Sequence, residues 1–180
     1  ILVTGFEPFG GESTNPSMEL VRALDAQIGA AHIHTAILPV TASGGLQAGL
    51  RAIEEIGPDA VVCVGQAGGR CAVTVERVAV NVDDFSIPDN GGYQPRNVPV
   101  VEGGPDAYLS TLPIDKMVEA MRGAGVPAAV SNSAGTYVCN HVMYGVAHYL
   151  AQYRPTARSG FVHIPYLPQQ VLDKPDKPSM

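Results

Sequence analysis

The sequence predicts a layered α/β domain. Brief apolar runs bounded by Gly, Pro and Asn alternate with longer segments whose apolar residues recur at helical spacing, and the first of them read strand, helix, strand, helix, strand. Hydrophobic residues make up 46% of the 180 and charged residues 16%, a balance that fits one globular domain with a sizeable core. Ligands of such folds gather at the carboxyl ends of the strands, so the turns that follow strands are the places to look for function.

Ile1 to Thr4 is a buried strand, followed by the glycine-rich loop Gly5-Phe6-Glu7-Pro8-Phe9-Gly10-Gly11. This loop is neither G-x-G-x-x-G nor a P-loop, since it has no Lys and the spacing is wrong. Phe6 and Phe9 lie outside any regular pattern and are either core plugs or the lining of an apolar slot. Asn15-Pro16 opens a helix, with Asn as N-cap and Pro at the first helical position. Met18, Val21, Leu24 and Ile28 give it a buried stripe, and Gly29 ends it. His32 to Leu38 alternates as a strand, with Ile33, Thr35 and Ile37 on one face and His32 and His34 on the surface face. A second helix carries Leu46, Leu50, Ile53 and Ile56 and stops at Gly57-Pro58. Ala60 to Val64 is the next buried strand, with Cys63 in the core. The turn Gly65-Gln66-Ala67-Gly68-Gly69-Arg70 sits at its end, where glycines permit close backbone approach and Gln66 offers both a donor and an acceptor.

Cys71 to Val82 reads as one strand, and a period of two puts Glu76 on the same face as Val78, Val80 and Val82. A carboxylate there needs a partner, and Arg77 points the other way. Either a structural hydrogen bond or an imidazole that Glu76 orients would answer. Asp83 to Ser110 has little periodicity and is expected to be a loop that folds over a site or meets another subunit. Ile114, Met117, Val118 and Met121 make a helix between Pro113 and Gly123, and Pro127 to Ser131 a strand. From Gly135 the chain reads GTYVCNHVMYG, with Val138, Val142, Val146, Leu150 and Tyr153 at helical spacing. Phe161 to Ile164 is a last strand, and the Lys/Pro-rich tail is a loop. There is no internal repeat and no domain linker.

The formal charge is −6 and the eleven Lys and Arg are scattered, which argues against nucleic acid and anionic membranes as partners. No apolar run is long enough to span a bilayer and no leader precedes Ile1, so a soluble protein is expected. Three cysteines, Cys63, Cys71 and Cys139, fit a reducing compartment, and none has a partner at zinc spacing, so no metal site is read. Both ends look cut: the chain starts within a strand and stops at Met180 in a loop. Residues 1–180 are read as a single domain truncated at both ends.

Cys139 falls in the first turn of its helix, among unpaired backbone N–H groups and near the positive end of the dipole, which favours the thiolate. A buried structural cysteine is the alternative. A nucleophilic thiol needs a base, and the base an orienting group. His141 is two residues away and points elsewhere, His148 is out of reach along the helix, and His32 and His34 belong to an early strand. His163 lies at the end of a buried strand, and Glu76 is the carboxylate most in need of a partner. By position alone, Cys139, His163 and Glu76 are one candidate set among several.

The motifs TGFEPFGG at Thr4–Gly11, NPS at Asn15–Ser17, VGQAGGR at Val64–Arg70, ERVAVN at Glu76–Asn81, IPDN at Ile87–Asn90, LPI at Leu112–Ile114, AGTYVCNH at Ala134–His141 and GFVHIPYLP at Gly160–Pro168 occur in one order. In these the chain resembles the pyroglutamyl peptidase I (pyrrolidone-carboxylate peptidase) family of cysteine peptidases over nearly its whole length. The resemblance implies removal of an N-terminal pyroglutamyl residue from peptides, without metal or cofactor. It implies Cys139 as nucleophile, His163 as base and Glu76 as third member. Phe6, Phe9, Tyr137 and Val138 match positions that line the lactam pocket, and Gln66 a polar residue beside it. A three-layer α/β/α sandwich around a twisted, mostly parallel mixed sheet is implied, as are a cytoplasmic location and a homo-oligomer, often a tetramer. Two departures stand out. Ser86 replaces an Arg that many bacterial members carry just before IPDN, which keeps open the alternative of a weak or inactive binder of pyroglutamyl peptides. The family also continues past Met180 into a C-terminal helix.

Overall fold

The computed structural model describes residues 1–180. Ten strands and four α-helices follow one another as β1 (Leu2–Phe6), α1 (Pro16–Ala23), β2 (Gln27–Ile28), β3 (Ala31–His32), β4 (His34–Leu38), α2 (Ala42–Ile56), β5 (Ala60–Gln66), β6 (Val73–Glu76), β7 (Val78–Val80), β8 (Ala107–Leu109), α3 (Ile114–Gly123), β9 (Ala128–Ser131), α4 (Val138–Tyr153) and β10 (Arg158–Ile164). Six strands form a mixed sheet in the order β4-β1-β5-β10-β6-β9. The first four are parallel; β6 runs antiparallel to β10, and β9 parallel to β6. Helices α2 and α4 cover one face over a core that includes Leu2, Phe6, Leu38, Cys63, Val138 and Phe161. On the other face α1 and α3 cover Val3, Val64, Val75 and Val162. The result is a three-layer α/β/α sandwich, and no helix is long and apolar enough to cross a membrane.

Local chemistry explains most element ends. Asn15 caps α1 by accepting from Ser17 N at 3.0 Å, with Pro16 in the first turn, a pairing worth about 1 kcal/mol. Gly57 ends α2 and returns its N–H to Ile53 O. Thr41 gives α2 no side-chain cap; Asp89 reaches in from the 83–106 loop and accepts from Ala42 N at 2.9 Å.

Several expectations are corrected. The first helix stops at Ala23, and Ile28 is 53% exposed on the hairpin of β2 and β3 rather than on a helical stripe. Gly29, at φ 58°, serves that hairpin turn. On the edge strand β4 the covered residues are Ala36 and Leu38, whereas Thr35 and Ile37 face outward; His32 and His34 are exposed, as expected. The continuous strand expected from Cys71 to Val82 is two strands in two sheets. Arg77 N–H donates to Ser131 O and Arg77 O accepts from Ser110 N, so the chain leaves β9 there and pairs β7 with β8. Strand β8 lies inside the segment expected to be loop. Tyr153, at the end of α4, is 68% exposed and outside the buried stripe.

Candidate active site

Strands β1, β5 and β10 end side by side, and the first turn of α4 meets them from the covering layer. There they enclose a cavity of about 370 Å³ lined by Phe6, Phe9, Gln66, Tyr137, Val138, Cys139 and His163, with Asn15, Val40, Arg70 and the Ser133–Gly135 turn completing its wall. Seven of the eight residues singled out in the sequence thus share one cavity, and the eighth, Glu76, stands directly behind His163.

The sheet register sets that last relation. β10 and β6 pair His163 with Thr74 and Phe161 with Glu76, so Glu76 is the diagonal neighbour of His163 on the same face. Its Oε1 lies 2.7 Å from His163 Nδ1. A carboxylate accepts only, so Nδ1 carries the proton and Nε2 is the nitrogen left to take one up. Across the parallel pair β5 and β10, the register partner of His163 is Gly65, and neighbouring strands lie about 4.8 Å apart. A Cβ at Gly65 would come within 3.1 Å of Cys139 Sγ and 2.8 Å of the Phe161 ring. The thiol therefore occupies the space that a side chain beside His163 would have filled. Gly65→Ala is expected to displace it and to lower kcat/KM by about 10²-fold in a folded protein. Unchanged kinetics in that variant would contradict this placement.

Glu76 is fully buried. Burial alone would raise its carboxyl, but hydrogen bonds from His163 and Arg70 outweigh this and hold it below the usual carboxylate range. Arg70 reaches Oε1 with Nη1 at 2.6 Å and also contacts Thr74 Oγ1. Ser131, opposite Glu76 in the register, is near enough to act in the same direction, yet its hydroxyl donates to Ser133 O and Oε2 of Glu76 has no partner. Arg70 is the residue that sequence reasoning missed. It was visible as the only cation of the glycine-rich turn at the end of β5, but nothing local shows the chain folding back to set it beside Glu76.

Protonation of the cysteine and histidine also departs from expectation. Burial pushes the Cys139 thiol up to about 12, and the Glu76 charge adds to the rise. Cys139 keeps a partly exposed face toward the cavity, and solvent there works against the rise. Desolvation outweighs the helix terminus, so the resting form is the neutral thiol and not the thiolate. Burial lowers the His163 pKa below 6.5; Glu76 opposes this and Arg70 adds to it. Both groups are thus neutral near pH 7, which suits transfer of the thiol proton to Nε2 as sulfur attacks. Neutral His163 persists above its lowered pKa and is lost as pH falls through it. The acid limb of kcat/KM is therefore expected below pH 6.5, and an acid limb centred above pH 7 would contradict the assignment.

The apolar wall is built from rings. Phe6 is packed into the core, its centroid 6.2 Å from Phe161, while Phe9 stands 6.1 Å from Tyr137. Tyr137 in turn rests edge-on against buried Phe85 at 4.7 Å and donates its hydroxyl to Pro88 O. The 83–106 loop thus buttresses the cavity from behind. Ser86, within that loop, is exposed and is not among the cavity-lining residues. His141 binds Asp83 at 2.7 Å and His148 meets Tyr108 and Gln152, so neither serves the cavity. No group of His, Cys, Asp and Glu is arranged to hold a metal ion.

Known proteins share this architecture. A family model described as pyroglutamyl peptidase matches residues 1–180. The pyrrolidone-carboxylate peptidase 1 of Caldanaerobacter subterraneus is 51% identical over all of this chain and 89% of its own length. That of Alkaliphilus oremlandii is 52% identical over all of this chain and 84% of its own. The crystal structure of Bacillus amyloliquefaciens pyroglutamyl peptidase I superposes with a TM-score of 0.96 at 46% identity, covering 99% of this chain and 87% of that one. The pyrrolidone carboxyl peptidase of Thermococcus litoralis gives 0.96 at 42% identity, over 99% and 84%.

Proposed function

The chain belongs to the pyroglutamyl peptidase family, and from that membership and the geometry of the cavity we propose that Cys139, His163 and Glu76 carry out its reaction. It is a cysteine peptidase that hydrolyses the amide after an N-terminal pyroglutamyl residue. The observation that carries the residue assignment is the convergence of Cys139 and of His163, fixed by Glu76, on one ring-lined cavity.

The pyroglutamyl ring is flat and uncharged. It lies among Phe6, Phe9, Tyr137 and Val138, with Gln66 as its polar partner. An ordinary N-terminus brings an ammonium group, and leaving its hydration shell for this wall is costly, so the cavity selects the cyclised end. Sγ of Cys139 attacks the carbonyl joining the ring residue to the next one while its proton passes to His163 Nε2. The imidazolium so formed is stabilised by Glu76 through Nδ1. His163 then protonates the leaving amine, giving a thioester on Cys139, and next takes a proton from water, which hydrolyses the thioester and releases pyroglutamate. Backbone N–H groups at the start of α4 and in the Gln66 turn stand near the developing oxyanion.

Three unpaired cysteines fit a cytoplasmic enzyme. Leu109 and Tyr153, both 68% exposed, supply apolar surface that a homo-oligomer, tetrameric in this reading, would cover. The test of function is release of a chromogenic amine from a pyroglutamyl amide. Turnover supports the reading; a folded wild-type protein that binds pyroglutamate without turnover overturns it.

A further inference from the structure

A second glutamine lies behind Gln66. Gln170, in the 3₁₀ turn Pro168–Val171, is 5% exposed and stands against the 7%-exposed Gln66 at the end of β5. Its Oε1 accepts from the Leu167 N–H at 3.0 Å. A backbone nitrogen can only donate, so this end of the Gln170 amide must be its oxygen. The other end, Nε2, faces three acceptors: Gln66 Oε1 at 2.9 Å, Thr14 O at 3.3 Å and Glu12 Oε2 at 3.5 Å. Thr14 O can only accept. Glu12 pairs with Lys174, whose Nζ lies 2.9 Å from Oε1. Gln66 has to turn its own oxygen toward Gln170, which leaves its NH₂ group, paired with no protein acceptor, for the cavity that Gln66 lines.

We propose that Gln170 is a positioning residue for substrate recognition: it locks the Gln66 amide so that the cavity offers a donor, and not an acceptor, to the carbonyl of the lactam ring. This inference rests on the pyroglutamyl peptidase reading. Its chemical consequence is discrimination within five-membered rings. An N-terminal prolyl ring has a CH₂ where the lactam has C=O, and it would leave the Gln66 donor unpaired in a nearly buried place. Sites built around such a donor reject ligands that lack the matching acceptor strongly.

Gln170→Glu tests this directly. The new carboxylate still accepts from Leu167 N–H but sets an acceptor against Gln66 Oε1. Gln66 relieves its share of the clash by flipping, which turns its oxygen toward the lactam carbonyl; Thr14 O and Glu12 also face the new carboxylate, so the variant is read where its melting temperature stays close to wild type. Gln170→Met removes the lock without imposing the reverse orientation. The readouts are the inhibition constant of 2-pyrrolidone, which is the lactam ring without the reacting carbonyl, the split between KM and kcat for a pyroglutamyl amide, and the melting temperature. Gln170→Glu is expected to weaken 2-pyrrolidone and raise KM by about tenfold or more, with a smaller change in kcat and Gln170→Met between it and wild type. Unchanged inhibition constant and KM in folded variants overturn the inference alone. Wild-type protein that neither binds the ring nor cleaves the amide overturns the functional reading. If Gln170→Glu does not fold, Gln170→Met carries the same test.

Discussion

Cys139→Ala is expected to lower kcat/KM for a pyroglutamyl amide by at least about 10⁴-fold while leaving the ring affinity close to wild type. Removing the nucleophile of a coupled set forfeits nearly everything the set contributes, and the residue that remains is worth only binding and oxyanion stabilisation. Affinity should be spared because the proposed ring contacts are Phe6, Phe9, Tyr137 and Gln66, whereas the Sγ of Cys139 fills the notch above Gly65. Steady-state kinetics beside 2-pyrrolidone inhibition measures both halves. Residual turnover within tenfold of wild type would remove Cys139 from the chemistry.

His163→Ala is expected to cost about 10³-fold or more in kcat, since a neutral thiol buried in this cavity cannot ionise without a base to take its proton. Glu76→Gln is expected to cost far less, about 10- to 10²-fold. The reason lies in Arg70. In a triad whose carboxylate is replaced by amide, the main damage arises when the amide NH₂ turns toward the imidazole and reverses its tautomer. Here Oε1 accepts from both Arg70 and His163, so an introduced amide keeps its oxygen in that position and places its nitrogen where the unpartnered Oε2 stood. Only the negative charge facing the imidazolium is lost. Equal losses for His163→Ala and Glu76→Gln, each relative to wild type, would contradict the orienting role. A double variant Glu76→Gln, Arg70→Met is expected to fall below Glu76→Gln alone, because the clamp on the amide is gone.

What could be read from the chain follows the range of the interactions involved. Helices α2 and α4 were legible because their apolar spacing, and the Gly57 stop of α2, are local. So were the ends of β5 and β10, and with them the place of Gln66 and His163. The need of Glu76 for a partner was legible from one carboxylate on an apolar strand. The identity of both partners was less so, because His163 is brought across an antiparallel register and Arg70 by a reversal of the chain after β5. The break at Arg77 was hidden for the same reason: the apolar alternation runs on through Val78 and Val80, and only pairing with Ser131 and Ser110 shows that the strand changes sheets. Cys139 illustrates a different limit. Its position at a helix start was clear, and the dipole argument that followed was sound in sign. Yet the enclosure of the sulfur by segments far apart in sequence decides the protonation state, and no local pattern reports it.

The most direct measurement is mass spectrometry of wild-type protein incubated with two peptides that differ only at the first residue, pyroglutamyl in one and uncyclised glutaminyl in the other. Release of free pyroglutamate and of the shortened peptide from the first, with the second left intact, is the predicted result. Cleavage of both at similar rates, or of neither by a folded protein that still binds 2-pyrrolidone, would contradict a peptidase whose ring-lined cavity admits the uncharged, cyclised terminus.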